Sequence, residues 1–280
     1  MKEKPLLVAS DIDGTIISSQ DRVLPRVQEA LTQAAESGVE IALATGRPHR
    51  WIEPVLEQLP VRPVCVCANG AVLYDSKYHR IVKAHELQPE ALTEIVRAAR
   101  EALADRGGVN VAVERAGTGD AFDDDPREMF VVTPGYFHLW GTREFGEQRE
   151  ERALEEPAIK LLLRNTALGA EEMYEAVAAA VDPELGHVTY SMDAGILEVA
   201  PPGISKAHGV AELAQMHGVP QERVLCFGDM PNDIEMLRWA GWGVAMGNAR
   251  EPVKEAADEV TSTNDEGGVA DVLERWFSLS

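Results

Sequence analysis

Cysteine is scarce in this chain, with three in 280 residues. An odd and small number excludes a disulfide framework. Cys65 and Cys67 form a C-x-C pair, but no second Cys or His pair stands at zinc spacing, so they read as ordinary buried strand thiols. Positive charge is also short, since 26 Lys and Arg face 47 Asp and Glu for a formal net charge of -21. A chain this acidic repels polyphosphate backbones and anionic lipid, so neither nucleic acid nor a membrane surface is an expected partner. No apolar run approaches the roughly 20 residues of a membrane helix. The opening Met1-Lys2-Glu3-Lys4-Pro5 lacks the charged-then-apolar build of a secretory signal, and the expected location is cytoplasmic. Internal repeats and low-complexity tracts are missing too. What remains is a chain that is 45% hydrophobic, long enough for one large domain or two moderate ones.

The most informative stretch is Asp11-Ile12-Asp13-Gly14-Thr15, which follows the apolar run Leu6-Leu7-Val8-Ala9. Such a run closed by acids and glycine reads as a buried parallel strand opening into a loop at its carboxyl end, where the reactive groups of open α/β sheets collect. Side chains two apart in an extended segment point the same way, so Asp11 and Asp13 are expected to converge on one ligand. Crowded carboxylates are relieved by a divalent cation or a shared proton. A plain Asp-Gly turn is the competing explanation.

Downstream, Leu24, Val27, Ala30, Leu31, Ala34 and Ala35 recur at helical spacing up to Gly38. A strand over 39–44 ends on Thr45-Gly46-Arg47, a helix is predicted from about Pro48 to Leu59, and a strand over 64–68 ends on Asn69-Gly70. This alternation implies a parallel sheet with crossover connections. A hairpin over 71–83 follows. From Ala84 the rhythm changes: a helix opened by Pro89, strands near 109–113 and 158–163, a helix over 171–181 and a hairpin turned at Asp193-Ala194-Gly195 suggest a separate, partly antiparallel α/β module, with 133–156 the least readable stretch. Past Pro201-Pro202-Gly203 the first rhythm returns. The expected fold class is therefore α/β, with a Rossmann-like parallel-sheet core over 1–83 and 201–280 interrupted by a second α/β domain over 84–200.

If the core strands share a sheet, one edge gathers Asp11, Asp13, Thr45, Asn69, Asp229 and Asp233, with Lys206 at a helix start. That is a working set for phosphate. Mg²⁺ prefers oxygen ligands, which Asp11, Asp229 and Asp233 can supply with a backbone carbonyl. Thr45 and backbone amides can bond phosphoryl oxygens, and Lys206 can offset their charge. Taken singly, Thr45 and Asn69 read as cap or turn residues, Asp229 and Asp233 as loop and first-turn acids, and Lys206 as a solvated surface lysine.

Four segments, Asp-Ile-Asp-Gly-Thr at 11–15, Ala-Thr-Gly-Arg at 44–47, Gly-Ile-Ser-Lys at 203–206 and Gly-Asp-Met-Pro-Asn-Asp at 228–233, resemble the ordered motifs of the haloacid dehalogenase-like superfamily. The Asn69-Gly70-Ala71 and Gly247-Asn248-Ala249 triplets and the ending Asn264-Asp265-Glu266-Gly267-Gly268-Val269 resemble its Cof-type hydrolase branch. The resemblance covers both core segments, while 84–200 matches in position and α/β character only. It implies phosphoryl transfer through an aspartyl-phosphate: Asp11 as nucleophile, and Asp13 as the acid for the leaving oxygen and then the base for water. It further implies Thr45 and Lys206 on the phosphoryl group, and Mg²⁺ held by Asp11, the carbonyl of Asp13, and Asp229, with Asp233 as a further ligand or an orienting group. Gly46, Arg47, Asn69, Gly70 and Asn232 are candidates for contacts to substrate or phosphate, and Thr15 is placed to steady Asp13. Ala207 departs from the glycine that often follows the family's lysine. The inserted module would close over the site as a cap and read the leaving group. Asp123 to Asp125 read as a solvated surface loop, and Arg127, His138, Arg143 and His187 are candidate specificity residues of the inserted module.

The favoured function is a Mg²⁺-dependent phosphatase of small phosphorylated metabolites such as sugar phosphates, acting as a monomer or homodimer. A phosphomutase of the same superfamily is the first alternative. A phospho-acceptor signalling domain is the second, disfavoured by the large insertion and by an acidic pair on the first strand. A transporting ATPase is excluded by the missing membrane spans.

Overall fold

The computed structural model describes residues 3–117, 124–136, 144–192 and 194–277. The chain divides into two compact units, one made of Met1–Val82 with Ser205–Ser280 and the other of Lys83–Ile204.

The first unit begins with β1 (Leu7–Ser10), fully buried, and α1 (Pro25–Glu36), which opens on Pro25 and ends before Gly38 in the left-handed region. β2 (Glu40–Ala44) follows. The helix predicted over 48–59 is instead a 3₁₀ turn at His49–Trp51 and a single turn, α2 (Glu53–Leu56). Pro54 explains the break, because inside the predicted helix it lacks the amide that would bond four residues back and it stands in the first turn of α2 instead. β3 (Val64–Cys67) leads into a hairpin of β4 (Val72–Asp75) and β5 (Arg80–Ala84).

The inserted unit contributes α3 (Pro89–Ala102), β6 (Asn110–Glu114), the single turn α4 (Pro126–Met129), β7 (Phe130–Val132), β8 (Gly146–Glu147), the single turn α5 (Glu150–Ala153), β9 (Lys160–Arg164), α6 (Ala170–Ala180), β10 (His187–Thr189) and β11 (Ile196–Ala200). Its sheet runs β10-β11-β9-β6-β7-β8 and is antiparallel except where β8 joins β7. One face, with Val111, Val113, Leu161, Leu163, Leu197 and Val199, is buried against α3 and α6. Alternation places Glu114, Lys160, Arg164 and Glu198 on the other face, where all four are also buried.

The chain then returns to the first unit through α7 (Lys206–Met216), β12 (Val224–Gly228), α8 (Ile234–Trp239), β13 (Trp242–Ala245), α9 (Glu251–Ala256), β14 (Glu259–Val260) and α10 (Gly268–Phe277). The core sheet runs β14-β13-β12-β1-β2-β3-β4-β5, parallel from β14 through β3 and antiparallel at the β3–β4 hairpin. Leu7, Ala9, Ala42, Cys226 and Ala245 face α7, α8 and α9, while α1 packs with β2 and α10 on the opposite side. Cys65, Cys67 and Cys226 are free and buried, as expected of strand thiols. Burial pushes the Cys65 and Cys226 thiols up. With β1 central, flanked by β12 and β2, the parallel strands deliver their carboxyl ends to one edge.

Candidate active site

β1 ends at Ser10, and the chain then turns over Ile12–Ile16, a loop anchored by buried Ile12, Thr15 and Ile16. The turn separates the two acids that extended geometry would have aligned. Asp11 is 4% exposed, whereas the Asp13 side chain is 56% exposed and grips Arg47. Asp13 is held by Arg47, and its charge still acts on both Asp11 and Asp229. Gly14 makes the turn with φ +75, and a Cβ there would meet Asp229 Oδ2 at 2.3 Å.

Asp11 instead meets Lys206. The lysine Nζ donates to Asp11 Oδ1 and to Asp233 Oδ1, each at 2.7 Å. At 1% exposure Lys206 is the opposite of the solvated surface residue its isolated sequence context suggests. Burial disfavours its ammonium, but the charges of Asp11 and Asp233 outweigh that and hold its pKa above the ordinary lysine value. Ser205 caps α7 by accepting from the His208 amide, and Ala207 packs its methyl against the core, so the missing glycine leaves the helix start intact.

Asp229 and Asp233 sit just beyond β12. Asp233 Oδ2 accepts from the backbone amides of Asp229 at 3.0 Å and Met230 at 2.9 Å, which folds the 229–233 loop around that carboxylate. Thr15 Oγ1 donates to Asp229 Oδ1 at 2.9 Å, so Thr15 steadies Asp229 and not Asp13. Burial, reinforced by the charge of Asp233, pushes Asp229 up to about 7. Burial likewise raises Asp11 well above the carboxylate range, against the opposing pull of Lys206.

Asp11, Asp229 and Asp233 each offer an oxygen within 4.8 Å of the others. Among the described residues these three and Asp13 pair with Lys206 and Arg47, so with all four acids ionised the cluster would carry two negative charges in excess. An all-oxygen donor set with that excess fits a hard divalent cation.

The remaining predicted residues surround this cluster on neighbouring strand ends. Thr45, 1% exposed, follows β2 and accepts the Arg47 amide on Oγ1 at 3.1 Å. Gly46, between them, is half-buried. Asn69 adopts a left-handed backbone, φ 56, and its Oδ1 accepts from Asn232 Nδ2 at 3.0 Å. Buried Asn232 keeps an Oδ1 with no hydrogen-bond partner among the described residues. Gly70 lies against α7, where a Cβ would meet the Ser205 carbonyl at 2.1 Å. All these residues belong to the first unit.

Asn248 joins the cluster although its sequence signal was only a family triplet. Its Nδ2 donates to the Gly14 carbonyl at 2.8 Å and approaches Asp229 Oδ2 at 3.4 Å, while its Oδ1 accepts the Asn264 amide. Asn264 Nδ2 in turn donates to the Ile17 carbonyl. These bonds tie the acidic loop to segments more than two hundred residues away. Of the candidate specificity residues, Arg127 is exposed on α4, capped by Asp125, and His187 lies on β10. Asp123, His138, Arg143 and the turn residue Asp193 lie outside the described residues.

The family model of the haloacid dehalogenase-like hydrolases matches residues 8–273. The chain belongs to that family. Within it, this hydrolase is of the Cof type. It is 27% identical over 293 residues, covering all of both chains, to the 5-amino-6-(5-phospho-D-ribitylamino)uracil phosphatase YitU of Bacillus subtilis. It is 25% identical to the pyridoxal phosphate phosphatase YbhA of Escherichia coli, across 95% of this hydrolase and 97% of that protein. The solved structure of the subclass IIB sugar phosphatase BT4131 superposes with a TM-score of 0.78 at 25% identity, covering 98% of this hydrolase and 99% of that chain. Among the described residues no helix is long and apolar enough to cross a membrane.

Proposed function

We propose that this hydrolase is a phosphoric monoester hydrolase that cleaves small phosphorylated metabolites, sugar phosphates or compounds like them, through an aspartyl-phosphate on Asp11. The observation that carries the reading is a buried carboxylate, Asp11, held on one oxygen by a buried lysine inside a cluster with excess negative charge. A carboxylate needs no activating base, and Lys206 fixes its orientation. Asp11 attacks phosphorus in line, the bond to the leaving oxygen breaks, and Asp13 supplies that oxygen with a proton. Asp13 then takes a proton from the water that displaces Asp11. Lys206 and Thr45 balance and bond the phosphoryl oxygens.

Mg²⁺ would be held by Asp11, Asp229 and the carbonyl of Asp13, with Asp233 orienting Lys206 and the 229–230 amides. It supplies charge neutralisation for the transferring group. The sequence-defined insertion over 84–200 is assigned to reading the leaving group.

Relatives named for a ribityl phosphate, pyridoxal phosphate and sugar phosphates support small phosphomonoesters as the substrate class. A phosphate-release screen with Mg²⁺ over a panel that includes those three kinds of compound, run beside Asp11→Asn, tests the reading. The expected result is release by the wild type, with Asp11→Asn lower by about a thousandfold or more. Wild-type turnover in Asp11→Asn would remove the nucleophile, and isomer formation without free phosphate would replace hydrolysis with a mutase reaction. Activity indifferent to a chelator would remove Mg²⁺.

A further inference from the structure

Arg47 entered as a candidate contact to substrate or phosphate, yet its guanidinium is already committed. Nε donates to Asp13 Oδ2 at 2.8 Å, Nη2 grips Asp13 Oδ1, and Nη1 faces the Trp51 carbonyl at 3.5 Å. Its backbone is pinned as well, because its amide donates to Thr45 Oγ1 at 3.1 Å and its carbonyl accepts from the Ala68 amide at 2.9 Å. The arginine is thus a fixed fork projecting from the end of β2 toward the loop after β1. Of the two partners Asp13 is the more exposed, 56% against 21% for the side chains, and sits on a loop next to Gly14.

A fork that donates to both oxygens matches an ionised carboxylate, which is acceptor-only. The paired state is therefore the one in which Asp13 can take a proton, not give one. Building on the phosphatase reading, we propose that Arg47 is a positioning residue for Asp13, holding its carboxylate oriented for the second half of the reaction, the hydrolysis of the aspartyl-phosphate.

In the first half the proton for the leaving oxygen comes from Asp13. The Asp11 oxygen bonds to phosphorus, the bond to the leaving oxygen breaks, and the Asp13 proton passes to that oxygen, releasing an alcohol. Asp13, now a carboxylate, is held on both oxygens by Arg47. In the second half a water oxygen bonds to phosphorus, the bond to Asp11 breaks with its electron pair returning to the Asp11 carboxylate, and the water proton passes to Asp13. That returns Asp11 free and Asp13 protonated, and the cycle restarts.

The test uses the full chain with Mg²⁺ and p-nitrophenyl phosphate, whose leaving group departs as a stable anion and makes little demand on Asp13 in the first half. In rapid mixing, Arg47→Ala is expected to release about one nitrophenolate per enzyme in a burst and then turn over about tenfold or more slower than wild type, without a raised KM. Acid-quenched Arg47→Ala should carry the trapped phosphoryl group. Arg47→Lys, which offers a point charge in place of the fork, should recover part of the steady rate. A raised KM with kcat retained would show a direct phosphate contact and overturn the proposal. So would a slowed first turnover with no burst. A thermal midpoint measured for each variant separates unfolding from these outcomes. If the wild type releases no phosphate, the phosphatase reading itself fails. If Asp11→Asn is dead and Arg47→Ala shows no burst, only the role of Arg47 fails.

Discussion

Both units bury a lysine against carboxylates, and the two burials differ in their charge balance. In the inserted unit Lys160 Nζ lies 2.5 Å from Glu198, whose other oxygen accepts from Ser191. Glu114 stands opposite Lys160 in the β6–β9 register, and Arg164 shares the same strand face, so two acids meet two bases. In the first unit Lys206 alone stands among Asp11, Asp229 and Asp233. Burying charge is expensive in either place, and a matched set is the ordinary remedy. The set around Lys206 is left unmatched, with a lone lysine and residual negative charge where three strand-end acids converge. A structural ion pair has no use for that excess. A site that must take up a cation and a phosphoryl group does.

Substituting each lysine probes this contrast most strongly. Lys206→Met strips the cation from two buried carboxylates and is expected to lower stability by about 3–5 kcal/mol. The same change should lower kcat for phosphate release by about a hundredfold or more, because the charge that meets the phosphoryl group is gone. Lys160→Met should show a comparable fall in urea stability with kcat on a small aryl phosphate retained. Adding Glu198→Leu to Lys160→Met should restore most of that stability, since replacing a whole buried pair is far milder than breaking it. Loss of turnover in Lys160→Met would erase the distinction between the two clusters.

The next effect is on pH. Asp229 stands near 7 in the folded chain against an unperturbed 3.8. Between those values the folded state binds more protons than the unfolded state, so this group's contribution falls as pH rises through that window. Without metal the folded chain is therefore penalised above about pH 7. A bound cation removes the penalty by replacing the proton, and affinity for it should weaken as pH drops. Thermal midpoints in chelator and in Mg²⁺ at pH 5 and pH 8 measure this. The Mg²⁺-dependent gain should grow with pH in wild type and in Lys160→Met. A gain that keeps the same pH dependence in Asp229→Asn would show that another group sets it.

These contrasts also mark where the sequence can be read. The core strands were legible because each is an apolar run closed by small polar residues, and the edge collecting Asp11, Thr45, Asn69 and Asp229 followed from that repetition alone. Phe130–Val132 and Gly146–Glu147 were not anticipated as strands, since two or three residues carry no periodicity. The helix read across Pro48 to Leu59 failed at Pro54, which interrupts it from inside. At the site, residue types were legible and partners were not. Thr15 bonds Asp229, 214 positions on, and Lys206 bonds Asp11, 195 positions back, so nothing local shows that the lysine is buried or that the threonine serves a different acid. The different exposure of Asp11 and Asp13 was hidden for a related reason. Strand alternation holds only as far as Ser10, and the pairing of Asp13 with Arg47 is set by the loop that follows.

Gly14 gives the smallest expected effect and the most local one. Alanine there keeps every charged group yet adds a Cβ that would meet Asp229 Oδ2 at 2.3 Å, in a backbone conformation at φ +75 that L side chains rarely adopt. The strain should lower stability by about 1–3 kcal/mol. Asp229 cannot rotate away without loosening the Thr15 bond at 2.9 Å and the approach of Asn248 at 3.4 Å. The Mg²⁺ concentration for half-maximal activity should therefore rise several-fold while kcat at saturating metal falls less. In the inserted unit, Gly108→Ala imposes a similar positive φ of +65 with open space around the new atom. Strain without displacement of a ligand should lower stability alike and leave the metal requirement unchanged. Equal shifts in metal requirement for the two variants would mean that general destabilisation, not the position of Asp229, controls the cation.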